Sequence, residues 1–255
     1  MTSEGAVVPA WVRPLAASLD GVRARGLTPF HAPHGSSPRA ASVLILFGDG
    51  GAGEAGLEAG LEAGLGDGAP SGGGTPPTGH VLLLERAHDM RSHAGQVAFP
   101  GGAQDPGDAD EVAAALREAQ EETSLDPAGV QVLATMPALW LPPTNFAVTP
   151  VVGWWQTPSP VHAVDPAETA SVHLVALDEL LDPANRVTMR HPSGHQGPAF
   201  VVRDLLVWGF TAGLLSRIFT IVGWERSWDS SRCVDLPQEI VESSLRDLDR
   251  LQVEP

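Results

Sequence analysis

Glu118, Glu121 and Glu122 stand at i, i+3 and i+4 in a run of helix-forming residues, so their carboxylates share one helix face. Like charges so close repel one another. A hard divalent cation with oxygen ligands removes that penalty, and Mg2+ or Mn2+ suits such a set. An ion held there can act as a Lewis acid and lower the pKa of a bound water. Three glutamates alone leave a second reading open, a solvated acidic face. The element that must carry them lies within Phe99 to Leu125, and it reads as two glycines, an acidic loop and a helix. Asp105, Asp108, Asp110 and Glu111 crowd the loop and first turn, where the positive end of the helix dipole favours acids. Ala113, Ala114, Ala115, Leu116 and Ala119 are good helix formers.

Gly101 and Gly102 precede this helix and Arg117 stands directly before Glu118, in the order G-x-n-R-E-x-x-E-E. The pattern resembles the Nudix box of the Nudix hydrolases, which cleave a nucleoside diphosphate linked to another group. The resemblance implies an α/β fold, a mixed β-sheet sandwiched between α-helices. It also implies Mg2+ or Mn2+ on Glu118, Glu121 and Glu122, a proton accepted by Glu121 or Glu122, and Arg117 orienting the glutamates. The chain departs from the commonest box in two ways. The spacing from Gly102 to Arg117 is one residue longer, with Asp108 in place of Glu. Ser124 replaces a glycine that would suit a left-handed helix cap, a conformation serine adopts only at some strain.

The preceding block, LLLERAHDMRSHAGQVAFPGG from Leu82 to Gly102, narrows the resemblance. An L-L-x-x-R run ending at Arg86, then Arg91, Gly95 and Phe99-Pro100-Gly101-Gly102, resembles the additional motif of the coenzyme A pyrophosphatase subgroup. That subgroup commonly has Ser where Ala87 stands, and its boxes include the longer loop and a relaxed glycine. By this resemblance Arg86, Arg91, Gly95, Phe99, Gly101 and Gly102 bind substrate. The reaction would release adenosine 3′,5′-bisphosphate and 4′-phosphopantetheine, or its acyl form, from coenzyme A. Guanidinium groups suit phosphate oxygens, although pairing with the nearby acids is open to both arginines. Other substrates (ADP-ribose, a dinucleotide, an oxidised nucleotide) keep the same fold. A Nudix-like binding module without turnover is the reading that Ser124 and the missing box glutamate would support.

Composition limits the partners. The chain has 255 residues, 43% of them hydrophobic, enough for one well-buried domain with additions. A net charge of −16 argues against DNA or RNA but not against a small anion held by metal and local arginines. Every basic residue other than histidine is arginine, which we read as compositional bias. Cys233 is alone, so a disulfide framework is not expected and an idle thiol is the default. No basic stretch followed by an apolar core opens the chain, and the longest apolar run, Leu205 to Trp224, is broken by Arg217. A cytoplasmic protein without membrane contact is expected.

Pro9 to Val22 predicts an amphipathic helix, within an N-terminal helix and loop over residues 1–40. A Nudix domain is expected over 41–222, with Ala41 to Phe47 and His80 to Arg86 as a hairpin interrupted by a glycine-rich, flexible insertion at 48–79. Further strands are expected at Val130 to Leu139, Asn145 to Trp155, Ser171 to Leu177 and Phe200 to Val202. Trp140 to Pro143 reads as a turn-rich connector, Asp178 to Leu181 as a helical turn, and Trp208 to Val222 as a helix. Trp154 and Trp155 are read as packing residues. His31, His34 and His93 lack ligand spacing and are read as structural. Glu168 is a further carboxylate candidate, against its reading as a solvated loop acid. Residues 223–255 form an acidic extension, helical at Gln238 to Leu251, for which a homodimer contact is open.

Overall fold

A computed structural model describes residues 8–19, 21–28, 30–49, 77–87, 94–142, 144–238 and 240–242. Most of the glycine-rich insertion, the Arg91 and His93 region, and residues 243–255 lie outside them. The chain opens with helix α1 (Arg13–Leu19) and strands β1 (Arg39–Gly48), β2 (His80–Arg86), β3 (Val97–Ala98) and β4 (Gly101–Ala103). Helix α2 (Glu111–Thr123) follows, then β5 (Val130–Thr135), β6 (Leu139–Leu141), β7 (Phe146–Trp155) and β8 (Thr169–Ala176). The short helix α3 (Leu177–Leu181) leads to β9 (Arg186–Arg190), β10 (Gln196–Val202) and β11 (Leu205–Val207). Helix α4 (Gly209–Ile221) and strand β12 (Cys233–Asp235) complete the described elements.

The larger sheet runs β3-β2-β1-β7-β5, with β8 added to β2, β4 to β1 and β6 to β7. It is mixed: β1 lies parallel to β7 from Arg39↔Phe146 to Phe47↔Trp154, and antiparallel to β2 and β4 at its two ends. The apolar run in β1 has no polar alternation because both faces are covered. Leu44, Leu46, Leu82, Val151 and Trp155 pack on one face with Ala115, Ala119 and Leu125, which brings α2 onto the sheet. Ile45, Phe47, Val81, Leu83, Val152 and Trp154 point the other way, into a core shared with α1, α3 and α4. This is the expected mixed sheet between helices. Trp154 and Trp155 occupy opposite faces of β7, both buried, as packing residues.

Two expectations change. Trp140 and Leu141, expected to begin a turn-rich connector, belong to the strand Leu139–Leu141 that pairs with Phe146–Val148; the neighbouring prolines mask a register that only β7 supplies. A second sheet, β11-β10-β9-β12, was not foreseen beyond Phe200 to Val202. Its strands are short and half-covered, and β12 joins β9 in parallel across a long separation, which leaves no local periodicity to read.

Candidate active site

Helix α2 starts at Asp110, whose Oδ1 accepts the Ala113 N–H at 2.8 Å. Ala114, Ala115 and Ala119 are fully buried, and their small side chains let α2 lie close to the sheet. That closeness puts Glu118 and Glu122 over β4. Glu122 Oε2 accepts the Gly101 N–H at 2.8 Å. A Cβ built on Gly102 would lie 2.5 Å from Glu118 Oε2, and one on Gly101 would lie 2.3 Å from the Ser42 carbonyl oxygen. Gly101 is therefore demanded by the backbone of strand β1, whereas a side chain at Gly102 would have to move the Glu118 carboxylate.

Arg117 ties the acidic loop to the helix. Its Nε and Nη2 donate to the two oxygens of Asp108 at 2.9 and 3.0 Å, and Nη2 also donates to the Ala103 carbonyl at 3.2 Å. Nη1 donates to Glu118 Oε1 at 3.0 Å and to Glu121 Oε2 at 2.9 Å. The hydrogen bonds from Arg117, then the Asp105 N–H, hold the Asp108 carboxyl below its ordinary range. Asp108 thus serves as the fork's partner, a role that its position at the loop's end could have suggested but its residue type obscured.

The three glutamates share a face yet differ in environment, with side-chain exposures of 18% for Glu118, 59% for Glu121 and 10% for Glu122. Burial raises the Glu118 carboxyl above its usual value against the pull of Arg117. Burial also pushes Glu122 up to about 7, against the Gly101 N–H and Arg86, with Glu118 and Glu168 adding to the rise. Arg86 Nη1 lies 3.8 Å from Glu122 Oε1, so the arginine of the L-L-x-x-R stretch faces the glutamate helix. Glu168 precedes β8 and its carbonyl accepts the Ala87 N–H at 2.9 Å, which places this acid beside the same site.

Among the described residues no three His, Cys, Asp or Glu side chains already converge as a metal cage. Arg117 engages Glu118 and Glu121, and the Gly101 N–H engages Glu122. The donor set nevertheless fits a hard divalent cation: all oxygen, on one face, with two carboxyls whose charge burial opposes. Asp108 keeps Arg117 in place whichever partner Glu118 and Glu121 take.

The family model of the NUDIX domain matches residues 75–193. The Nudix hydrolase NudL of Cronobacter sakazakii, named as uncharacterized, is 40% identical over 154 residues, covering 58% of this chain and 77% of that one. That of Klebsiella pneumoniae, named likewise, is 38% identical over 154 residues with the same coverage. The chain belongs to the Nudix hydrolases. Nudix hydrolases act on pyrophosphate bonds in nucleoside diphosphate derivatives and generally use divalent metal ions. A solved Nudix hydrolase of M. smegmatis, RenU, aligns over 72% of this chain and 86% of its own at 21% identity, with a TM-score of 0.42.

In this Nudix hydrolase the remaining expected residues fall as follows. Gly95 has φ 66°, and its N–H donates to the Arg86 carbonyl at 3.1 Å, closing the turn between β2 and β3. Arg91 lies outside the described residues. Phe99 corrects an expectation: at 3% exposure its ring packs in the larger core with Val97 and Met136 and presents no surface to a substrate. Ser124 is left-handed, φ 59° and ψ 17°, and caps α2 through its N–H to the Gln120 carbonyl. Among the described residues no helix is long and apolar enough to cross a membrane.

Proposed function

We propose that this Nudix hydrolase cleaves the diphosphate of coenzyme A or an acyl-coenzyme A, releasing adenosine 3′,5′-bisphosphate and 4′-phosphopantetheine or its acyl form. The carrying observation is Arg86 set 3.8 Å from Glu122, an upstream arginine on the glutamate face where a diphosphate would lie. The choice of coenzyme A is supported by the Leu82 to Gly102 motif.

Glu118, Glu121 and Glu122 would hold Mg2+ or Mn2+, which when bound neutralises the diphosphate and acidifies water. The chain's own residues do the rest. Water adds to one phosphorus, the bond to the bridging oxygen breaks, and the water's proton passes to a carboxylate. Glu121 or Glu122 accepts it. Arg86, joined by Arg91, offers N–H groups to the phosphate oxygens as charge moves onto the leaving one. Arg117 touches no substrate; its fork on Asp108 orients Glu118 and Glu121. Gly101 and Gly102 bring backbone against the carboxylates.

The test is product analysis of purified protein with Mg2+ or Mn2+, given coenzyme A, ADP-ribose and NADH separately. Adenosine 3′,5′-bisphosphate and phosphopantetheine should appear fastest, and EDTA should stop them. Faster cleavage of ADP-ribose or NADH overturns the substrate assignment and leaves the glutamate site standing. No cleavage of any of them favours a binding module.

A further inference from the structure

The pairing of β2 with β8 breaks between Glu85 and Arg86: Glu85 faces Ser171, Arg86 faces Thr169, and Ala170 is left over. Such bulges re-aim side chains and cluster beside active sites. Residues directly opposite in an antiparallel pair project to the same face with Cβ atoms about 4.5–5.5 Å apart. The bulge thereby sets Thr169 opposite Arg86, the residue whose guanidinium reaches Glu122. The backbone around both is pinned, by Arg86 N–H to the Gln96 carbonyl, Ala87 N–H to Glu168 and Thr169 N–H to Asp165.

Both side chains carry an unpaired polar atom. Thr169 is 1% exposed and its Oγ1 has no hydrogen-bond partner; the buried Nε of Arg86 has none either. An unsatisfied buried donor on Arg86 and an unsatisfied buried acceptor on its ladder partner are unfavourable, and valine would fill the threonine's space without that loss. The pair makes sense when Arg86 has something else to hold. A threonine oxygen accepts two hydrogen bonds, and a guanidinium bound at Nε still offers both Nη groups in a planar fork.

We propose that Thr169 is a positioning residue for Arg86. Its hydroxyl oxygen takes the Nε–H, directly or through one water, when a substrate diphosphate draws the Nη groups off Glu122. This rests on the functional reading above and adds a residue to it. Thr169 has no direct part in holding metal.

Calorimetry of the full chain with adenosine 5′-(α,β-methylene)diphosphate and Mg2+ tests this, alongside Mn2+ binding followed by electron paramagnetic resonance without the nucleotide. Thr169→Val should weaken nucleotide binding about tenfold, the loss of one hydrogen bond to a charged group, and raise KM for the substrate alike. Mn2+ affinity should stay as in wild type, and the melting temperature should stay level or rise. Thr169→Ser should restore binding. In an Arg86→Ala background Thr169→Val should cost nothing further. Thr169→Ala is the second variant and should behave as valine does toward the nucleotide. Wild-type affinity in both hydroxyl-free variants overturns the proposal, as does failure of Thr169→Ser to restore binding, or full additivity with Arg86→Ala. If wild type binds no nucleotide and cleaves no diphosphate, the functional reading falls and takes this one with it. Cleavage by wild type with an unchanged KM in Thr169→Val removes this proposal alone.

Discussion

At the end of α2, Ser124 holds φ 59°, where an L side chain costs about 1–2 kcal/mol that glycine does not. Ser124→Gly should therefore raise the melting temperature by about 2–4 °C per kcal/mol recovered, with turnover unchanged, as scanning calorimetry and product assays would show. Glu122 works in the opposite sense. Its carboxyl sits at about 7 against 4.5 for an ordinary glutamate. Between those values the folded metal-free chain holds a proton that the unfolded chain has released. Its contribution to stability therefore declines as pH rises from 4.5 to about 7, by at most about 3.4 kcal/mol at about 1.4 kcal/mol per pH unit. In EDTA, the melting temperature of wild type relative to Glu122→Gln should fall between about pH 5 and about pH 8. Parallel curves would show that no such buried carboxyl exists. With metal and substrate supplied, the same substitution should cut turnover by on the order of 10²–10⁴.

The unit formed by β4, the acidic loop and α2 depends on two fits. Gly101 meets the backbone of β1 and Gly102 meets Glu118, so their substitutions separate stability from function. Gly101→Ala must displace the Ser42 carbonyl and should lower stability by about 1–3 kcal/mol, measured by denaturant melts. Gly102→Ala displaces a carboxylate instead. It should leave the melt nearly unchanged and lower turnover, so an equal stability loss in both variants would argue against the described packing. Arg117 is the second fit. Lysine carries the charge but not the fork that spans Asp108, Glu118 and Glu121. Arg117→Lys should reduce turnover with a smaller effect on KM, since in the proposed mechanism Arg117 orients the glutamates and Arg86 meets the substrate.

For the whole chain, the burial of the Glu118 and Glu122 carboxyls means that folded protein should gain from binding a cation. Mg2+ or Mn2+ at about 100 times its dissociation constant should stabilise the fold by about 2.7 kcal/mol, reversed by EDTA and lost in Glu118→Gln. A melting temperature indifferent to metal would sever the glutamate site from cation binding. The two-sided core makes such a gain visible globally. Helix α2 presses on one face of the sheet while α1, α3 and α4 share the other, so loosening at the site is felt through β1 and β7.

The i, i+3, i+4 glutamates, the glycine pair and the apolar runs of β1, β2 and β7 were legible because each is local: helix and strand periodicity turns spacing directly into a shared face. The Nudix pattern follows from that local order. Tertiary structure alone decided which glutamate is buried, because Glu118, Glu121 and Glu122 read alike until β4 lies beneath them. It also decided that Phe99 packs inward, that Asp108 takes the arginine fork, and that Leu139–Leu141 forms a strand. The second sheet and the meeting of Arg86, Glu122 and Thr169 depend on register between segments far apart in the chain. A one-residue bulge determines which side chain faces the site, and nothing in the neighbouring residues announces it.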